Sequence, residues 1–381
     1  MSGLYIHIPF CKSRCIYCGF YSTTALSLME KYIDAVCEEI RIRQNYLSSP
    51  ISTIYLGGGT PSQLSIKQID KIFNTIYKYN KVASDICTNG EITMECNPDD
   101  ITTDFADFIR KSDINRISMG AQTFSNDILK FIRRRHTAGQ VKEAVSRLRN
   151  AGIGNISVDL MFGFPGEDIK QWQSDLDEAI KLDVEHISAY SLMYEEETYL
   201  YRLLESGKIR ECDEETSLTM YNMLIDTLKD AGYEHYEISN FAKPGFKSKH
   251  NSSYWHGVPY LGIGASAHSF NTASRQWNVD DIKEYIENIS KGIVPEEHEI
   301  LTKDTAFDEC VMTGLRTAEG INLERVEEKF GTEYLKDLKR EAEKHINKGF
   351  LKYDNQSTRL SLTREGLFIS DTIMSDLMHV N

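Results

Sequence analysis

Short runs of β-branched and apolar residues, each too brief for a helix, alternate with longer amphipathic stretches from the amino terminus to about residue 240. That alternation is the order which lays strands parallel and covers them with helices. Strands are expected at residues 4–8, 53–56, 92–95, 116–119, 157–161 and 186–188. Between them, residues 32–43, 66–77, 104–109, 141–148 and 172–180 carry apolar side chains at helical spacing. Six such strands predict an α/β fold built on a partial (β/α)6 TIM-like barrel. Cys11, Gly57 to Thr60, Glu95, Gln122 and Asp159 all fall at or just after strand ends. On barrels, that face carries the site.

Beyond a helix closed by Gly232, the chain becomes rich in Gly, Ser and aromatic residues as far as about Asn278. These are expected to be ordered loops. Helical patterns at 307–315, 323–330 and 334–346 then precede two β-like runs at 351–353 and 359–362, which suggests a small α+β, winged-helix-like domain. Three units are therefore expected: the barrel at 1–235, a loop-rich aromatic segment covering the barrel mouth at 236–295, and the winged-helix-like domain at 296–381. Charges of both signs mix through residues 324–343, so this domain offers no clean basic face to DNA.

Acidic side chains outnumber basic ones by 57 to 43, a formal charge of −14 that disfavours phosphate backbones and anionic membranes. Nucleic acid is not an expected partner. No apolar run reaches the roughly 20 residues of a membrane helix and no charged-then-apolar leader opens the sequence. A cytoplasmic protein without an integral membrane segment is the expectation. The eight cysteines do not resemble the dense framework of a small secreted protein.

Three of them, Cys11, Cys15 and Cys18, stand in a Cys-x3-Cys-x2-Cys spacing on the loop after the first strand. A cubane needs a ligand at each of four irons, so three local thiolates leave one iron open to water or substrate. Zinc is the main rival, but structural zinc usually takes four protein ligands, often as two paired hooks, and no second hook is present. Spacing alone favours iron–sulfur and leaves zinc open. Three consecutive glycines after the second strand remove Cβ atoms and let backbone groups approach a ligand. Glu95, Gln122, Arg134 and Asp159 add polar groups around the same mouth, although each alone reads more simply as solvated surface or a salt bridge.

Together these segments resemble the radical S-adenosylmethionine superfamily, in its oxygen-independent coproporphyrinogen III oxidase-like branch. Tyr5-Ile6-His7-Ile8-Pro9-Phe10-Cys11, Gly57-Gly58-Gly59-Thr60-Pro61, Glu95-Cys96-Asn97-Pro98, Gly120-Ala121-Gln122 and Asp159-Leu160 to Gly166 fall in that branch's order. The resemblance implies a [4Fe–4S] cluster on Cys11, Cys15 and Cys18 with S-adenosylmethionine at the fourth iron. It also implies cofactor contacts from Tyr5, Tyr17, Gly58, Gly59, Thr60, Glu95, Gln122, Arg134 and Asp159. A low-potential electron donor would deliver the electron that cleaves the sulfonium, so the cofactor rather than a protein base carries the hard chemistry.

Within that branch, oxidases decarboxylate coproporphyrinogen III, and their cysteine motif continues with another Cys two positions after the third. Here that position is Phe20, and no long arm precedes the motif. The chain is more similar to the branch's heme chaperones. Its His250-Asn251-Ser252-Ser253-Tyr254-Trp255 resembles their heme-associated His-Asn-x-x-Tyr-Trp motif. Heme, contacted by His250, Tyr254 and Trp255, and a heme-acceptor protein are therefore the expected partners, with His256 and His268 as lesser candidates. The bland reading is that His250 bonds a loop while Tyr254 and Trp255 fill a core. Decarboxylation of coproporphyrinogen III, or radical chemistry on another substrate, is the alternative activity.

Overall fold

A computed structural model describes residues 1–354 and 356–379. The chain begins β1 (Ser2–Ile8), α1 (Met29–Ile42), β2 (Ile51–Gly58), α2 (Ile66–Tyr79), β3 (Glu91–Cys96), α3 (Thr103–Lys111) and β4 (Arg116–Gln122). It continues with α4 (Asn126–Phe131), α5 (Ala138–Asn150), β5 (Ile156–Phe162), α6 (Ile169–Lys181) and β6 (His186–Ser191). Strands β1 to β6 pair parallel in sequence order. The alternation divides each strand between two environments. Leu4, Ile6 and Ile8 of β1 join the fully buried layer with Tyr32, Ile33 and Val36 of α1, while Tyr5 and His7 meet the interior residues Tyr55 and Tyr21. Truncating one of these aliphatic side chains to Ala removes about 2–5 kcal/mol. Local signals start the helices: Ser65 and Gln68 form a reciprocal cap on α2, and Asp168 caps α6.

After α7 (Tyr199–Glu205) and α8 (Glu214–Asp230) come β7 (Glu234–Glu237), β8 (Asn240–Ala242), α9 (Lys249–Trp255), β9 (Tyr260–Ile263), β10 (His268–Phe270), β11 (Ser274–Asn278), α10 (Ile282–Ser290) and β12 (Glu296–Ile300). The expectation of loops over the barrel mouth is corrected here. This stretch extends the sheet at both edges, in the order β12-β11-β10-β9-β1-β2-β3-β4-β5-β6-β8-β7. Strand β9 adds parallel to β1, and β8 adds antiparallel to β6. Glycine makes the added edge possible, since a Cβ at Gly262 would lie 2.0 Å from the His268 carbonyl oxygen.

A buried carboxylate then anchors the edge to α1. Glu39, fully buried, accepts from Tyr285 Oη at 2.6 Å, Gly264 N at 2.8 Å and Asn278 Nδ2 at 2.8 Å, and lies 3.3 Å from Arg43 Nη1. Charge and lone pairs are thereby compensated inside the protein.

The remainder, α11 (Lys303–Arg316), β13 (Ile321–Asn322), α12 (Leu323–Phe330), α13 (Thr332–Asn347), β14 (Leu351–Asp354), β15 (Arg359–Leu362), α14 (Arg364–Leu367) and α15 (Ser370–Leu377), encloses its own core around Phe307, Val311, Leu338 and Ile373. Its three strands pair antiparallel in the order β13-β15-β14, so the hairpin expected at 351–362 forms but is followed by two further helices. Arg316 ties this unit to the barrel: its Nη2 lies 2.9 Å from Glu237 Oε1, and its guanidinium lies over the Trp255 ring. No helix among the described residues is long and apolar enough to cross a membrane.

Candidate functional site

The cysteine loop leaves the carboxyl end of β1 beside the glycine turn that ends β2. Thr60 Oγ1 sits 3.4 Å from Cys11 Sγ, and Arg134 Nη1 sits 3.5 Å from Cys15 Sγ. Burial and the neighbouring thiols push the thiols of Cys11 and Cys18 up in pKa, while Arg134 and Arg14 act the other way at Cys11. Asp100 braces the loop from below, accepting from Ser62 Oγ at 2.8 Å and Arg135 Nη2 at 3.0 Å and pairing with Lys12 at 3.4 Å. Among the described residues, no three His, Cys, Asp or Glu side chains close around a single ion.

Around this loop the glycines are under geometric constraint. Gly58 has φ +109° and a Cβ there would come within 2.6 Å of the His7 ring, while a Cβ on Gly59 would meet Pro9 at 2.7 Å. The turn can therefore lie against β1, where Gly57 and Gly58 register with His7 and Ile8. Glu95, at the end of β3, accepts from Gly58 N at 3.1 Å and from Tyr55 Oη at 2.8 Å. Burial first, and Asp159 second among the raising causes, push its carboxyl up to about 7.

Arg134 reaches across from the turn after α4. Its Nη2 donates to Gly120 O at 2.5 Å and to Asn97 Oδ1, while Nε has no partner. Gln122 holds φ +67° beside Gly120, where an added Cβ would lie 2.7 Å from its amide nitrogen. Asp159, one register step across from Gly120 on β5, accepts from Ser118 Oγ at 3.4 Å. Its carboxyl is raised by burial and lowered by the buried Arg116. Tyr5 Oη lies 2.9 Å from His7 Nδ1, and Tyr17 lies within electrostatic reach of Arg134 and Cys15. The structure thus places Tyr17, Gly58, Gly59, Thr60, Glu95, Gln122 and Arg134 at or near the carboxyl ends of the strands with the three cysteines, while Tyr5 and Asp159, the latter expected at a strand end, lie midway along β1 and β5. Sequence reasoning assigned no role to His7, Tyr55 or Asn97. The first and last stand inside the quoted motifs, but Tyr55 gave no signal.

His250, Tyr254 and Trp255 lie elsewhere. Helix α9 sits under the amino ends of β1 to β3, not over the mouth: Glu91, the first residue of β3, accepts from His250 N at 3.0 Å and Lys249 N at 2.8 Å. His250, expected to contact heme, has its ring nitrogens facing partners within the protein in this conformation. Its Nδ1 lies 2.9 Å from Thr53 Oγ1, its Nε2 lies 2.8 Å from Tyr254 Oη, and the residue is 1% exposed. Burial and Arg116 lower its pKa to about 3. The ring stacks on Tyr55, centroids 5.1 Å apart, so it also serves as barrel core.

Comparison with known proteins agrees with this architecture. The model of the Radical SAM superfamily matches residues 5–179, and that of the HemN C-terminal domain matches 301–369. The heme chaperone HemW of Bacillus subtilis (strain 168) is 35% identical, over 98% of this chain and 98% of that protein. The heme chaperone HemW of Lactococcus lactis subsp. lactis (strain IL1403) is 34% identical, over 99% of this chain and 97% of that protein. Among solved structures, coproporphyrinogen III oxidase (HemN) from Escherichia coli superposes with a TM-score of 0.86 at 20% identity, covering 100% of this chain and 90% of that one. At that identity the likeness speaks to fold alone.

Proposed function

The chain belongs to the radical SAM superfamily, alongside full-length HemW relatives, and from that premise we propose that it is a heme chaperone which takes up heme and passes it to an acceptor protein. A [4Fe–4S] cluster on Cys11, Cys15 and Cys18, with exchangeable S-adenosylmethionine, completes the proposal. The observation that carries it is the end-to-end likeness to heme chaperones, which runs through barrel and C-terminal unit alike. The residues at the mouth fit the cofactors: Thr60 and Arg134 offer donors to sulfurs that would carry negative charge, and the Gly58–Gly59 turn leaves the space a Cβ would fill. When bound, the cluster supplies an electron to the sulfonium through its open iron.

In this reading Glu95 faces the cationic part of the cofactor. Its carboxylate is held by Tyr55 and Gly58 N, so it is oriented before the ligand arrives. Arg134 sits on Cys15 and is fixed by Gly120 O and Asn97, which keeps its charge against the thiols. Phe20, 74% exposed, occupies the position where the oxidases continue their cysteine motif, which weighs against decarboxylation.

The test is anaerobic reconstitution followed by hemin titration on the Soret band, with the same samples assayed for coproporphyrinogen III turnover. One-to-one uptake without turnover supports the chaperone. Production of protoporphyrinogen IX overturns it in favour of the oxidase.

A further inference from the structure

Beside the carboxyl end of α9, between Tyr260 at the start of β9, Phe270 at the end of β10 and the C-terminal unit, lies a cleft of about 440 Å³. That volume falls in the roughly 300–1,000 Å³ range of cofactor sites. One wall is aromatic, made by Trp255, Tyr260 and Phe270; the opposite wall carries the exposed cations Arg325 and Lys329 of α12. No carboxylate among the described residues pairs with either cation, in a chain whose net charge is −14. The cleft's other arginines are engaged, Arg275 with Glu309 at 2.6 Å and Arg359 with Glu319 at 3.7 Å. A flat apolar ligand with carboxylates along one edge matches both walls.

His256, the residue after α9, opens into the same cleft. Its Nδ1 lies 2.7 Å from the Ser252 carbonyl oxygen, so Nδ1 carries the proton and donates. That bond fixes the tautomer whose Nε2 lone pair is free for a metal. Nε2 lies 3.6 Å from Glu319, a half-exposed carboxylate at the cleft rim, and touches no donor. His250, by contrast, has both nitrogens engaged.

Resting on the chaperone reading above, we propose that heme occupies this cleft, with its ring on Trp255, Tyr260 and Phe270, its propionates facing Arg325 and Lys329, and His256 Nε2 on the iron. His250 supports the site from behind: its Nε2 partner Tyr254 packs edge-on against Tyr260, centroids 4.6 Å apart.

The reconstituted full-length protein is titrated with hemin and, separately, with iron-free protoporphyrin IX, following the Soret band and tryptophan fluorescence. Wild type is compared with His256→Ala, the pair Arg325→Glu with Lys329→Glu, and His250→Ala, each checked for a cooperative thermal transition. His256→Ala is expected to shift the Soret maximum and weaken hemin about tenfold or more while leaving protoporphyrin IX within about twofold. The charge reversal is expected to weaken both ligands about tenfold. Folded His250→Ala keeps the wild-type Soret maximum. If wild type binds hemin and neither His256→Ala nor the charge reversal weakens it, the cleft assignment is wrong and the chaperone reading stands. A folded His250→Ala that loses the iron ligand while His256→Ala keeps it also overturns the inference. Failure of wild type to bind hemin at all overturns the chaperone reading itself.

Discussion

The Tyr55 hydroxyl donates to Glu95 Oε1 at 2.8 Å, which ties a carboxyl at the barrel mouth to a ring that stacks on His250 below it. Glu95 ordinarily ionises near 4.5 and is pushed up to about 7, chiefly by burial. Between those values the folded chain holds a proton that the unfolded chain has released. The contribution of Glu95 to stability is therefore fully present below about pH 4.5 and lost as pH rises to about 7. A cationic ligand favours the carboxylate, so S-adenosylmethionine binding should tighten as pH rises towards 7, by at most about tenfold per unit. Equilibrium dialysis across that window checks this, and Glu95→Gln should flatten the slope.

Replacing any one of Cys11, Cys15 and Cys18 with Ala should abolish the visible iron–sulfur absorbance and lower bound iron well below four per chain. These cysteines lie part-exposed on a loop, so the unfolding free energy of the metal-free protein should change by less than about 1 kcal/mol. Cys37→Ala, on the outer face of α1, is the control that should keep full iron content.

Arg134→Lys should keep the charge and lose the function of the fork. A single ammonium cannot reach Cys15, Asn97 and Gly120 O together, so the last two acceptors lose a charged donor at about 1.5–3 kcal/mol each. Faster loss of cluster absorbance under chelator, with near-normal initial iron loading, is the expected result. An unchanged half-life would count against the bridging role.

Glu39→Ala tests whether the chain past residue 236 belongs to the barrel's own sheet. Four donors from α1, the β9 turn, β11 and α10 converge on this carboxylate. Its removal leaves Arg43 and three polar groups uncompensated, and a loss of about 3 kcal/mol or more in one cooperative transition is expected by chemical denaturation. Two separate transitions would show the segment to be an independent appendage.

The six parallel strands and their helices were legible because each carries its own period and several of the helices their own cap, and the cysteines because their spacing is local. The added strands β9 to β12 were not, since they run three to five residues, interleave glycine and polar residues, and are held by Glu39 more than 200 positions upstream. Separations of 37 and 40 positions likewise hid Arg134 on Asn97 and Tyr55 under Glu95. The histidine motif was visible as a motif, but its position under the strands depended on Glu91 receiving the first amides of α9.

Strand β1 runs from the floor of the barrel, where Gly3 meets His250, to the mouth, where it feeds the cysteine loop. Five residue steps from Gly3 to Ile8 span roughly 17 Å at about 3.3 Å per residue. A carbon-centred radical acts on atoms it can approach to about 3–3.5 Å. Anything resting against Tyr260, which registers with Gly3, is insulated from such a species by the depth of the barrel. Under the proposed function, one-electron chemistry at one end would thus be kept apart from an oxidisable macrocycle held at the other.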